Sequence, residues 1–108
     1  MKSRVQISKR LDESKKRLEN LQIKSQKDKY YKLSYEITNK TLEEILNENI
    51  SEDELNRKLD KLKEKNITLQ KEEKIIELLK NNITMRVYNW VLNEKNNVEI
   101  EWVPLKYK

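Results

Sequence analysis

Leu55, Leu59, Leu62, Asn66, Leu69, Glu73 and Ile76 follow one another at alternating gaps of four and three, the spacing that places side chains on one face of an α-helix. Five of these seven are apolar, so the stretch 51–83 must bury one side, and the rest of the chain has to pack around it. Ser51 followed by Glu54 reads as a capping box, in which a hydroxyl and a carboxylate satisfy amides that the first turn leaves unpaired. Asp53 with Arg57 and Glu54 with Lys58 add i,i+4 pairs in the favourable order, each contributing roughly 0.2–0.5 kcal/mol. Asn66-Ile67-Thr68 admits either a continuous helix with a polar seam position or a break. The break is preferred, with Asn66 left-handed and Thr68 capping a second helix, because without glycine asparagine is the least costly left-handed residue. The second helix is then expected over 69–80, with Ile75, Ile76, Leu78 and Leu79 deepest in the core.

A chain of 108 residues with 35% apolar content can form one domain with a small core. Cysteine is absent, which removes disulfides, thiolate nucleophiles and zinc-finger spacing; the missing histidine removes the commonest general base and metal ligand. Without glycine there is no phosphate-cradling loop or dinucleotide fingerprint. The remaining carboxylates, lysines and tyrosines show no convergent constellation, so the expectation is a protein that is not an enzyme, with no catalytic residues, no metal and no cofactor. No apolar signal core and no run of the ~18–20 residues needed to span a bilayer is present, so no membrane partner and a cytoplasmic location are expected. The abundance of Lys, Asn, Ile, Glu and Leu reads as an AT-rich genome, and with the small size it suggests a phage or plasmid. Four Asn-x-Ser/Thr matches, at Asn39, Asn49, Asn66 and Asn82, are what an asparagine-rich chain produces by chance.

Charge is unevenly distributed: residues 1–40 carry twelve basic and five acidic side chains, and residues 41–80 carry eight and eleven. A basic front end and an acidic middle say more about partners than the total of +5. Ser3-Arg4-Val5-Gln6-Ile7-Ser8 alternates as a short half-buried strand would, with Val5 and Ile7 inward. Leu11, Leu18 and Leu21 then give a thin helical stripe, Ser25 with Asp28 caps a helix through Tyr30, Leu33 and Ile37, and Thr41 with Glu44 opens another. A short strand, a basic helix and a second helix resemble the ribbon-helix-helix repressors over about the first 45 residues. That resemblance implies a dimer whose strands enter the DNA major groove, with Arg4, Gln6 and Ser8 reading bases and the amides at Ser25 meeting phosphate. Lys9 and Arg10 lengthen the approach to the first helix, and Ile23-Lys24 replaces the usual glycine. The expected nucleic-acid-binding residues are Arg4, Gln6, Lys9, Arg10, Lys16, Arg17, Lys24 and Lys27.

Residues 27–35 interleave Tyr30, Tyr31 and Tyr35 with lysines, a composition suited to base stacking; helical spacing puts Tyr31 and Tyr35 on one face and Tyr30, Leu33 and Ile37 on another, so at least one face belongs to the core. After Asn82 the pattern alternates: Met85, Val87, Asn89 and Val91 against Arg86, Tyr88, Trp90 and Leu92, then Val98, Ile100 and Trp102. With a loop at 93–97 and Pro104 ending the second strand, this reads as a β-hairpin clamped onto the helices by Trp90 and Trp102. Helices followed by a hairpin are also similar to winged-helix DNA-binding domains, although Glu72, Glu73 and Glu77 would repel phosphate in the recognition position.

The expected architecture is a mainly α (α+β) helical domain with a C-terminal antiparallel β-hairpin and a possible short N-terminal strand. It forms a single domain, 1–108, divided into a basic segment 1–40, a helical core 41–83 and the hairpin 84–105. Its core is drawn from Leu42, Ile45, Leu46, Leu55, Leu59, Leu62, Leu69, Ile75, Ile76, Leu79, Trp90, Ile100 and Trp102. A homodimer is expected, because the thin N-terminal stripe and the leucine seam both leave apolar surface to cover. The functional expectation is a small accessory or regulatory protein that binds nucleic acid through its basic front. The alternative is an inhibitor or adaptor that docks a protein partner through its acidic helices or aromatic hairpin.

Overall fold

The computed structural model describes residues 1–92, which form four helices: α1 (Arg4–Asn20), α2 (Gln26–Glu48), α3 (Glu52–Lys71) and α4 (Ile75–Leu92). α1 packs on α2, α2 on α4 and α4 on α3, so two helical hairpins meet along α2 and α4. No strand occurs among the described residues. This overturns the expected hairpin over 84–92 and the N-terminal strand, and with the strand goes the ribbon of the ribbon-helix-helix resemblance. The remainder of the expected hairpin, with Ile100 and Trp102, lies outside the described residues.

The N-terminal error has a visible cause. Ser3 accepts from the Gln6 amide at 3.2 Å while the Gln6 side chain accepts from the Ser3 amide at 2.9 Å, a complete capping box of the Ser-x-x-Gln type. Two alternating residues were too few to outweigh it: Ile7 is buried and continues to Leu11, Ser14 and Leu18 at helical spacing, whereas Val5 is 78% exposed.

The C-terminal error arises because residues i and i+4 share a face in a helix and in a strand alike. Ile83, Val87 and Val91 fit both periods and are buried; Asn89, which alternation would bury with them, is exposed, and Tyr88 is buried directly beside Val87. Neighbouring burial of Val87 and Tyr88 requires the wider stripe of a helix.

Two helix ends solve the missing glycine in the same way. Asn49 adopts φ 51° after α2, and the Ile50 amide reaches back to the Ile45 carbonyl at 3.2 Å while its side chain is buried. Glu73 adopts φ 57° after α3, and the Lys74 amide reaches the Leu69 carbonyl at 3.1 Å. Both are Schellman-type endings. The predicted stop at Asn66 does not occur. α3 continues to Lys71, because Leu69 reaches the interior only as a further turn of the same helix, and the Asn66 side chain accepts instead from Asn81 of α4 at 3.1 Å. Thr68 therefore caps nothing. Thr41 likewise lies within α2, its hydroxyl folded onto the Ile37 carbonyl at 2.7 Å, a bond that removes its capping function. The caps expected at Ser25 and Ser51 are present, each side chain accepting the amide three residues on at 3.3 Å.

The core joins Ile7 and Leu11 of α1, Leu42 and Ile45 of α2, Leu55 and Leu59 of α3, and Val87, Tyr88 and Val91 of α4. Leu69 is buried, and Leu46, Leu62, Leu79 and Trp90 are partly so. Ile75 and Ile76, expected deepest, are 65% and 63% exposed, because α4 begins only at Ile75 and its first turn extends past the packed seam. In a chain without alanine or glycine, Ser14, Ser34, Thr38 and Thr41 occupy the small interior positions. Of the surfaces on which the expected dimer rested, Leu55 and Leu59 of the α3 seam and Leu11 of the α1 stripe are buried within one chain, Leu18, Leu21 and Leu62 are partly buried, and Ile76 is exposed.

Left-handed backbone costs a residue with a Cβ roughly 1–2 kcal/mol relative to glycine. Replacing Glu73 by glycine is therefore expected to raise stability by about 1 kcal/mol in urea denaturation, whereas Glu73→Val, with a branched Cβ, lowers it; no change in either variant contradicts the assigned turn.

Candidate nucleic-acid interface

Of the twelve basic residues in 1–40, four are engaged in holding the fold. The Arg4 guanidinium donates to the Asn49 side chain at 3.1 Å and to the Leu46 carbonyl at 2.9 Å, placing a cation at the negative end of α2. The Lys2 amide donates to the Val91 carbonyl at 2.6 Å, and its ammonium lies 5.4 Å from the centre of the Trp90 ring. Arg10 lies 5.6 Å from the same ring and 3.8 Å from Glu13, with its side chain only 11% exposed. Lys15 pairs with Glu43 across the α1–α2 seam at 3.1 Å. Trp90 therefore does fasten its segment to the helical body, but from a helix and through two cations rather than from a hairpin.

The eight residues expected to bind nucleic acid divide accordingly. Arg4 and Arg10 are committed to helix ends and to Trp90, and Gln6 to the Ser3 cap. Lys9, Lys16, Arg17, Lys24 and Lys27 are exposed, and among the described residues none of the five forms an ion pair. Lys9 and Lys16 are seven residues apart, so they share the solvent side of α1. Arg17 lies one step round the helix from Lys16. Lys24 and Lys27 lie beside the link, where α1 hands over to α2.

That link is set by Asp28. Its carboxylate accepts from the Lys24 amide at 2.9 Å and from the Ser25 hydroxyl at 3.2 Å. The Lys24 amide first, then the Ser25 hydroxyl, hold the Asp28 carboxyl below its ordinary range, so α2 starts from a charged, fixed cap. On the next turn the tyrosine motif splits in two. Tyr30 is buried, while Tyr31 and Tyr35 are half-buried, their ring centroids 6.5 Å apart and their planes within 22°. The Lys27 ammonium lies 5.7 Å from the Tyr31 centroid, and Tyr35 lines a narrow notch with Arg10, Ser14 and Arg17 of α1.

A second concavity, about 410 Å³, opens between α2, α3 and α4; Lys40, Glu44, Lys65, Glu77, Lys80 and Tyr88 contribute to its lining. Its mixed charges favour no one ligand, and among the described residues no three carboxylates converge to hold a metal ion. Burial first, then the Glu44 and Glu48 carboxylates, push the Tyr88 phenol above its usual range. No helix among the described residues is long and apolar enough to cross a membrane. No known protein family, curated protein or solved structure matches the chain.

Sequence reasoning located the basic residues without separating those that hold the fold from those that face solvent. The signal that could have done so is the capping box at Ser3, which turns residues 4–10 into a helix and sends Arg4 and Arg10 to its flanks.

A phenol whose folded-state value is raised contributes stability that is full below the ordinary tyrosine range and is lost as pH climbs through the raised value. Ultraviolet titration should show a phenolate forming above the ordinary tyrosine range, and Tyr88→Phe should remove that phase; its persistence in the variant would contradict the assignment.

Proposed function

We propose that this chain is a small non-catalytic accessory protein that binds nucleic acid along the solvent side of α1 and across the α1–α2 link. The observation that carries the reading is that Lys9, Lys16, Arg17, Lys24 and Lys27 are exposed and form no ion pair among the described residues. Cations left unpaired on an ordered surface attract polyphosphate by releasing its condensed counterions.

A protein-docking reading is favoured by one different observation. Ile67, Ile75 and Ile76, flanking the α3–α4 turn, are 58%, 65% and 63% exposed, more apolar surface in one place than scattered leucines provide. This reading predicts binding that is lost in Ile75→Glu with Ile76→Glu and is indifferent to the lysines.

The test compares mobility shifts on DNA and RNA across a salt series. Replacing Lys9, Lys16, Arg17, Lys24 and Lys27 by glutamine should weaken binding and reduce the logarithmic salt slope by roughly 0.7–0.9 for each phosphate that is no longer neutralised, with an unchanged thermal transition. Arg4→Gln and Arg10→Gln should instead lower the transition temperature and leave the slope alone. Wild-type protein that shifts no nucleic acid at low salt would remove the proposal.

A further inference from the structure

Summed around its rim, the 410 Å³ concavity between α2, α3 and α4 has no preferred sign; laid out along its length, its charges are ordered. α2 and α3 both pack on α4, which makes α4 the floor and the other two the walls. Lys2 reaches Val91 while Arg4 reaches Leu46 and Asn49, so α2 and α4 finish side by side. Glu44 therefore comes level with Tyr88, whose phenol feels both Glu44 and Glu48. Lys80 precedes Tyr88 by eight residues on α4, about 12 Å at 1.5 Å per residue. Lys65 belongs with Lys80, because the Asn81 side chain donates to the Leu62 carbonyl at 2.8 Å and to the Asn66 side chain at 3.1 Å across the α3–α4 seam. Lys40 stands one turn before Glu44 on α2. One pole of the groove is thus cationic, and the other pairs a carboxylate with a phenol.

Two observations set this groove apart from a gap between solvated helices. Among the described residues, Lys40, Glu44, Lys65, Glu77 and Lys80 form no ion pair, although all five line one concavity; Lys40 precedes Glu44 at i,i+4, the weaker order for a helix pair. Tyr88 is only 7% exposed, yet its hydroxyl forms no hydrogen bond among the described residues and it lines the same space. A phenol this deeply placed ordinarily finds a partner. We propose that the groove binds a nucleoside monophosphate, with its phosphate at Lys40, Lys65 and Lys80 and an amino-bearing base at Glu44 and the Tyr88 hydroxyl.

Glu77, one turn before Asn81, offsets one of the three lysines. The remaining two positive charges match the roughly −1.5 to −2 of a phosphate monoester near neutral pH. Glu44 accepts from an amino group and repels a second anion, while the phenol both donates and accepts. Ile37 and Leu62 supply apolar wall between the poles, and the volume lies within the roughly 300–1,000 Å³ usual for small-molecule sites. Inorganic phosphate fills one pole alone, and an amino acid is too short to join both. No residue of α1 or of the α1–α2 link lines the groove, so the inference stands apart from the nucleic-acid reading above.

The experiment is calorimetric titration of the whole chain with adenosine monophosphate, adenosine and inorganic phosphate at one salt concentration. The monophosphate should bind more tightly than either fragment. Lys65→Gln with Lys80→Gln, both exposed positions, should keep the thermal transition and weaken monophosphate binding about ten- to a hundredfold. Tyr88→Phe, which keeps the ring in the core, should weaken it about two- to tenfold and leave inorganic phosphate unaffected. Lys9→Gln with Lys16→Gln should bind the monophosphate as the wild type does. Inorganic phosphate binding as tightly as the monophosphate overturns the proposal, as does undiminished binding in the Lys65/Lys80 pair. Loss in the Lys9/Lys16 pair instead would place the nucleotide on the basic side of α1 and overturn it too. No heat from the monophosphate at millimolar concentration overturns the groove site alone, since the mobility shifts judge nucleic-acid binding separately.

Discussion

Closure of the chain depends on the first residues returning to the far ends of α2 and α4. The Lys2 amide bonds to the Val91 carbonyl, the Arg4 guanidinium covers the Leu46 carbonyl and Asn49, and between them Ile7 enters the core beside Val87 and Val91. An unpaired carbonyl at a helix end costs free energy when water is kept from it. Here two such ends are satisfied by one short segment, and the same segment brings the apolar stripe of α1 over the seam between the two helical hairpins. The capping box at Ser3 makes this possible by starting the helix early enough for Ile7 and Leu11 to point inward.

That closure also sorts the positive charge. Lys2, Arg4 and Arg10 are drawn to carbonyls and to the Trp90 ring, where their cations offset helix dipoles and a π face. The lysines one step round α1, and those of the link, face solvent. Net charge along a sequence therefore overstates the charge a partner meets: the basic front is real, but part of it is a fastening. Of the three arginines expected to bind nucleic acid, Arg4 and Arg10 are on the fastening side. This follows from the chemistry of guanidinium, which is less strongly hydrated than ammonium and suits planar, partly enclosed sites.

The helical body was legible wherever a cap and a spacing agreed. Ser51 with Leu55 and Leu59, and Ser25 with the stripe through Tyr30, are placed as their sequence implies. Legibility failed where two periods coincide. Val87 and Val91 satisfy a strand and a helix equally, and the alternation through 85–92, followed by a loop at 93–97, tipped the reading towards a hairpin. It failed again where a local preference met a tertiary demand: asparagine at 66 is the cheaper left-handed residue, yet the turn falls at Glu73, since α3 must run on for Leu69 to reach the interior. The basic surface was half legible. Which residues carry charge is written in the sequence; which of them remain available depends on the packing of α1, and that rests on the Ser3 cap, which the alternation of Val5 and Ile7 masks.

The central claim is that α1 is an integral helix, held at its first turn and presenting a fixed basic side. Amide hydrogen exchange of the whole chain tests it most directly. The account predicts that the amides of Ile7, Leu11 and Ser14 exchange as slowly as those of Leu42 and Val87, because all belong to one cooperative core. Fast exchange throughout 4–14, with α2 and α4 still protected, would show a frayed N-terminus and contradict the account.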